Sequence, residues 1–327
     1  MRPPASHLVD RTQRGAALLT AMLTVVLVAS LAASTLWQQW RGVEVEAAER
    51  GRTQSGWVLS GALDWARLIL REDGRNQGGV DHLAEPWAVP LEQARLSTFL
   101  AADRSDALAA DDAQDAFLSG QIIDLQSRLN VTNLVQSGKI DEPSRLAFTR
   151  LFELLDLPAS ELAALVDNLR LMQDSSAEGR ANKAVPLWPQ ELDELAWLGL
   201  SAPSIVQLRP YVTILPVRTP VNLNTAPVEV IYACVEAFEL ADAANFVRAR
   251  NLSHLSSLND ASKAAGGAAA RFNEAQHDVK TRFFEVRGSL QVDTTTVQEQ
   301  SVVQRDAMVV KTLWRKRGVA PSGSPLQ

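Results

Sequence analysis

A short charged leader meets a long uncharged run at Arg14-Gly15-Ala16, and that run limits what the rest of the chain can become. From Ala16 to Leu36 it reads AALLTAMLTVVLVASLAASTL, and the uncharged stretch continues to Gln39. About 20 apolar residues in a helix, rising about 1.5 Å each, are enough to cross a hydrocarbon core. Burying such a run in a globular interior would require an apolar partner on every side, so a single membrane span is the expected outcome. The small residue Gly15 precedes the apolar core. A secretory cleavage site would follow it, so a cut after Gly15 would leave the run on the mature protein as its new N-terminus. Arg2, Arg11 and Arg14 lie on the N-terminal side, and the positive-inside tendency places that side in the cytoplasm and the remainder across the membrane. Trp37, Trp40 and Arg41 stand where an interfacial anchor belongs. The same run would serve an uncleaved signal anchor equally well, and hydropathy does not separate the two.

The chain's 327 residues, with 46% hydrophobic and 21% charged content, leave enough beyond the anchor for one large domain or two ordinary ones. The formal net charge of -6 argues against broad nucleic-acid affinity, which rests on Lys and Arg neutralising phosphates. Cys234 is the one cysteine, so no intramolecular disulfide can form, and its apolar helical setting suggests a buried small hydrophobe.

The apolar run passes into VEVEAAERGRTQSGWVLSGALDWARLILRED without a turn signal. Trp57, Ala62, Trp65, Ala66, Ile69 and Leu70 recur near helical spacing, so one long helix should reach about Leu70 and press its second half on a body. Gly42, Gly51, Gly56 and Gly61 weaken it, and REDGRNQGGVD ends it. Glu85-Pro86-Trp87-Ala88 and an Asp-rich stretch around Asp103 to Asp115 follow. Ile122 to Leu125 reads as a short strand and the polar residues after it as a turn. From Pro143 the period turns helical, giving two helices joined at Leu157-Pro158. Further helices are expected at Pro189 to Leu198, Pro203 to Leu208, Ala226 to Ala237 and Ala241 to Arg250. Strand alternation returns at Phe284, Val286, Leu290 and Val292, with a partner strand at Ala307 to Trp314 and DTTTVQEQ as the turn between them. The order is long helix, strands, inserted helices, strands, an α+β arrangement.

Among the motifs, Val221-Asn222-Leu223-Asn224-Thr225-Ala226-Pro227 is the sharpest. Thr225 can cap a helix with Pro227 in its first turn while Asn222 and Asn224 tie down the entering loop. A membrane-anchored helix-hairpin-helix DNA-binding protein often opens a module this way. Such a module needs a glycine hairpin that offers N–H groups to phosphate, and here Glu236 and Glu239 stand in a hairpin without glycine. Asp124, Gln126, Asn130, Thr132 and Asn133 carry oxygens suited to calcium, yet their spacing is not that of an EF-hand and turn chemistry explains them as well. Asp111, Asp112 and Asp115, or Asp293 to Thr296, are equal candidates. His7, His82, His254 and His277 are scattered and give no local zinc or triad signature, and no Gly-rich phosphate loop is present.

Taken together, Gly15-Ala16, EPWA, SGQIIDLQSRLNVTNL and PVNLNTAPVEVI resemble minor pseudopilin K of the type II (general) secretion pathway, the GspK family, over nearly the whole chain. The resemblance implies cleavage between Gly15 and Ala16 by a prepilin peptidase, with methylation of the new amine. It implies a pilin-like fold, a long N-terminal transmembrane helix packed on a small antiparallel sheet, with a large all-helical domain inserted between strands. A non-catalytic place at the pseudopilus tip with minor pseudopilins I and J, and with H, follows from it, as does calcium as a candidate cofactor without assignable ligands. Nucleic acid is not an implied partner. At the fifth mature position, where major pilins carry Glu, this chain has Thr20, which suits a subunit with none above it. A tip subunit of another type IV pilus-like filament is the alternative of the same class. The expected division is a leader over 1–15, the long helix over 16–72 with its span at about 16–39, a pilin-like domain over 73–140 and 281–315, the helical insertion over 141–280, and a disordered tail over 316–327.

Overall fold

In the computed structural model the described residues are 11–76, 79–96, 116–173, 187–266, 270–292 and 295–320. The chain divides into two units, Met1–Val58 and Leu59–Gln327. Helix α1 is assigned over Arg11–Asn76. Within the first unit its apolar side chains are bare: Leu18, Leu23, Val26, Leu31 and Leu36 are all more than half exposed. It is the one described helix long and apolar enough to cross a membrane. Ser and Thr side chains along it, such as Ser30 and Thr35, return their hydroxyls to carbonyls of the preceding turn, which leaves no hydroxyl proton unsatisfied in an apolar solvent.

The second unit is built on a five-stranded antiparallel sheet. Its strands are β1 (Leu91–Arg95), β2 (Ala116–Asp124), β3 (Phe283–Val292), β4 (Thr295–Asp306) and β5 (Val309–Ala320), in spatial order β1-β2-β3-β4-β5. Strands β2 and β3 are neighbours although the whole helical body separates them in sequence, and Asp124 at the end of β2 faces Phe284 at the start of β3. The last turns of α1 cover one sheet face, where Leu63, Ala66 and Leu70 pack with Trp87, Phe284, Val286 and Val303. Trp87 meets Phe284 edge to face, with ring centroids 5.2 Å apart.

Between β2 and β3 the chain forms helices α2 (Glu142–Leu154), α3 (Ala159–Met172), α4 (Ala202–Leu208), α5 (Val228–Cys234), α6 (Leu240–Leu252) and α7 (Leu258–Ala264). Asp141 opens α2 by accepting from Ser144 N–H, and Pro143 lies in the first turn, where its missing donor costs nothing. Phe148, Leu151, Phe152, Leu165, Leu169, Ile231, Phe238 and Phe246 then close one continuous apolar core.

Several sequence expectations shift. The short strand at Ile122 to Leu125 is the end of the nine-residue β2, and Leu125–Ser127 is already a 3₁₀ turn capped by Asp124. Most of DTTTVQEQ belongs to β4, so the C-terminal sheet is a three-stranded meander in place of a hairpin. Its polar residues mislead because the buried face of this strand carries Glu299 and Arg305, each paired by opposite charge. Strand β5 runs through residues 316–320, where composition pointed to a tail. Lys316 reaches Glu191 at 2.7 Å and Arg317 reaches Glu299 at 2.6 Å, which gives those charges partners in the fold. Pro189 to Leu198 yields only the 3₁₀ segment Leu192–Leu198. Residues 103–115 and 321–327 lie outside the described residues.

Phe284 is fully buried between α1, Trp87 and the Arg305 guanidinium. Replacing it by alanine should lower stability by about 3–5 kcal/mol, measured by denaturant titration of the detergent-solubilised chain.

Candidate functional site

The VNLNTA segment sits at the junction of the helical body and the sheet. Val221–Asn222 pairs in parallel with His277–Asp278, which leads the chain back into β3. Asn222 is fully buried and uses its amide in three directions. Its Nδ2 donates to Asp124 Oδ2 at 2.9 Å and to the Asp81 carbonyl at 3.1 Å, while its Oδ1 accepts from Asn224 N–H at 3.0 Å. Asn224 reaches the other way, donating to the Leu255 carbonyl at 2.9 Å and accepting from Leu255 N–H at 2.8 Å. Thr225 does not cap the following helix. Its hydroxyl donates to Asp124 Oδ2 at 2.5 Å, and Pro227 takes the cap position before Val228. The carboxylate wins because a buried anion offers a stronger acceptor than a backbone donor offers a partner.

Asp124 therefore collects Gln126 N–H, Asn222 and Thr225. Burial pushes its carboxyl above the ordinary carboxylate range, against the pull of those donors. The oxygens that had suggested calcium are already engaged. Gln126 Oε1 accepts from Arg282 N–H, Asn130 Oδ1 from Thr132 and Leu215 N–H, Asn133 Oδ1 from Thr219 N–H, and Thr132 donates to the Leu215 carbonyl. This set does not fit a calcium ion, which needs six or more oxygens turned toward one point. Asp111, Asp112, Asp115 and Asp293 lie outside the described residues, and Thr296 has a buried hydroxyl without a hydrogen bond. The α5–α6 hairpin carries Glu239, whose N–H is bonded to Asp242 Oδ2 at 3.0 Å, so the α6 N-terminus already has its carboxylate. Cys234 is half-buried, and loss of solvation pushes its thiol up to about 12.

A second buried cluster adjoins the first through Asp81. The Asp81 carbonyl takes Asn222, while its carboxylate accepts from Thr281 N–H at 2.8 Å and from Arg305 Nη2. Arg305 Nη1 bonds Asp73 Oδ2 at 2.7 Å, and its guanidinium also meets the carbonyls of Leu70 and Thr281 and the face of Phe284. Glu85 completes the group, its Oε2 accepting from His82 N–H and from Trp87 Nε1. His82 accepts from Ala84 N–H at Nδ1, so its ring is the neutral Nε2–H tautomer, and it stacks on His254 at 3.9 Å. Burial raises Asp81 to about 6 and Glu85 to about 7. These residues escaped sequence reading because they are spread over 232 positions between Asp73 and Arg305. One signal was available: Arg305 falls two residues after Val303, on the inward face of a strand, where a charge requires a buried partner.

Gly15 and Ala16 lie within α1, Ala16 exposed, and Thr20 donates its hydroxyl to the Ala17 carbonyl at 2.9 Å. They are remote in sequence from the junction just described.

A long helix whose second half packs on an antiparallel sheet, with a helical body let in between two adjacent strands, defines a pilin-like fold carrying an extra domain. Two family models of the type II secretion system protein K match the chain, over residues 127–217 and 221–280. The chain is 28% identical to type II secretion system protein K of Pseudomonas aeruginosa over 93% of its own length and 90% of that protein's. It is 26% identical to the protein of that name from Klebsiella pneumoniae, over 95% of this chain and 98% of the other. Its fold matches a chain of the GspK-GspI-GspJ complex from the enterotoxigenic Escherichia coli type 2 secretion system with a TM-score of 0.58 at 17% identity, covering 83% of this chain and 98% of that one. Over residues 127–280 and along most of its length the chain is thus similar to type II secretion system protein K.

Two predictions follow from the junction. Asp124→Ala strands three buried donors and should cost about 3–5 kcal/mol in chemical denaturation. For Glu85 and Asp81 the folded chain binds protons more tightly than the unfolded one. Their contribution is therefore present below the ordinary carboxylate pKa and is lost as pH rises through about 6 and about 7. The lowered pKa of His82 acts in the opposite sense, weakening the fold as pH falls below its ordinary value. Glu85→Gln should remove the Glu85 part of the first slope and leave the Asp81 part and the second, so the stability difference between variant and parent should widen in the variant's favour from pH 5 to pH 8, read as Tm against pH.

Proposed function

We propose that the chain is a minor pseudopilin at the tip of the type II secretion pseudopilus, assembling with minor pseudopilins I, J and H to start the filament that exports protein across the outer membrane. Similarity to type II secretion system protein K and likeness in fold to a chain of the GspK-GspI-GspJ complex support this reading. The observation that carries it is the helical body inserted between β2 and β3, bulk that a repeating subunit would have to accommodate at every level of a filament and a terminal subunit need not. The role is one of binding, without catalysis. Helix packing supplies the association energy, and the buried junction holds the body in one position on the sheet.

In this reading the prepilin peptidase cuts between Gly15 and Ala16, the short leader stays on the cytoplasmic face, and the inner membrane holds residues from Ala16 to about Gln39, with the body in the periplasm. Thr20 supports a terminal place. A carboxylate at that depth in lipid demands a partner, whereas a threonine hydroxyl is satisfied by the carbonyl one turn earlier, as at Ala17. The subunit can therefore sit in the bilayer without a neighbour's amine.

Mass analysis of the mature chain from membranes containing a prepilin peptidase should give Ala16 as the N-terminal residue, and Gly15→Val should leave the precursor uncut. An N-terminus at Met1, or one beyond Ala33, would overturn the assignment. Co-purification with minor pseudopilins I and J should survive Gly15→Val only in part, if at all, since the uncut leader keeps its charges at the end of the span.

A further inference from the structure

We propose that Asp73, Asp81 and Glu85 form a hard-cation site whose cation is the chain's own Arg305, and that removing the guanidinium turns the site into one for a divalent metal ion. Each of the three carboxylates offers an oxygen within 4.8 Å of the others, closer than three buried anions tolerate without a positive charge among them. Two backbone carbonyls, those of Leu70 at 3.4 Å and Thr281 at 3.1 Å, also face the guanidinium. Four oxygens thus meet the guanidinium and a Glu85 oxygen lies beside the carboxylates among them, an all-oxygen set that is the donor chemistry of a calcium or manganese site.

Arg305 meets that demand in the way a metal would. Nη1 holds Asp73 and Nη2 holds Asp81, so a single planar group spans the end of α1 and the loop after it. The site is shaped for the long side chain. Gly74 passes so close that an added Cβ would lie 3.4 Å from Arg305 Cδ and 3.0 Å from the Ala307 carbonyl, and Phe284 presents its ring face 4.9 Å from the guanidinium carbon. Both Arg305 and its two partners are at least nine-tenths buried at the side chain. One coordination position stays open: Glu85 Oε1 is buried and has no hydrogen-bond partner. His82, whose Nε2 lies 4.0 Å away, does not compete for it as a cation, since it is held neutral by accepting at Nδ1.

The guanidinium and a metal ion exclude one another on charge and on space, so the wild-type chain should be indifferent to divalent cations at this place. Thermal unfolding of the full chain in detergent, in excess EDTA and in calcium, tests this together with Arg305→Met, which keeps the stem volume and removes the charge. Wild type should shift by less than about 1 °C, whereas Arg305→Met should gain about 5–10 °C from saturating calcium or manganese. Terbium(III), sensitised by Trp87, should luminesce with Arg305→Met and lose that signal in Arg305→Met combined with Glu85→Gln. A variant that is unfolded in EDTA and folds on adding calcium supports the proposal equally. A variant that metal does not rescue or stabilise overturns it. So does a wild-type chain whose calcium-dependent stabilisation disappears on Glu85→Gln.

Discussion

Everything in the second unit converges on Asp81. Its carboxylate is bound to Arg305 from the sheet, its carbonyl to Asn222 from the helical body, and the guanidinium it shares reaches Asp73 at the end of α1. A buried carboxylate in so many bonds is costly to place and costlier to strand, because each partner it loses becomes an unpaired buried group. The three layers of the unit are thus held in register by a polar contact, while the apolar cores on either side provide the bulk of the stability without fixing how one layer turns on the next.

The two polar hubs divide this work. Asp124, Asn222 and Thr225 join the exit from β2 to the VNLNTA loop, and Asn224 carries the link on to Leu255. Asp73, Asp81 and Arg305 join the end of α1 to the sheet. Tip assembly, as proposed, requires a body that does not swing when neighbours pull on the helix, and short charged bonds in a dry setting resist such motion better than packing alone.

Much of this was legible in the sequence where a pattern is local. The apolar run, the helical period from Pro143 and the alternation after Phe284 each follow from neighbours in the chain, and the order of helix, strands, helices and strands emerges from them. Asn222 and Asn224 were recognisable as loop ties because Asx turns act over two residues. Thr225 was misread because its partner, Asp124, lies 101 positions away. The reading of DTTTVQEQ as a turn failed for a related reason: β4 buries charges that only distant strands neutralise, so its composition imitates a loop. Asp73, Asp81 and Glu85 carry no spacing signal, and Arg305 shows only its inward place on a strand, since the adjacency of the four is made by the sheet.

The split of the sheet also sets a clock. Strand β2 pairs with β3 only after the helical body has been synthesised, and Arg305 follows Asp81 by 224 residues. The helical body, rich in local contacts, can fold early, whereas the long-range pairing must wait. During synthesis Asp73 and Asp81 appear before the helical body and the closing guanidinium only after it. Until it arrives the carboxylates of Asp73 and Asp81 stay hydrated and the end of α1 stays unlatched, so the second unit becomes rigid only once β4 has been made. Premature docking of a half-made subunit is discouraged by the order in which its own residues appear.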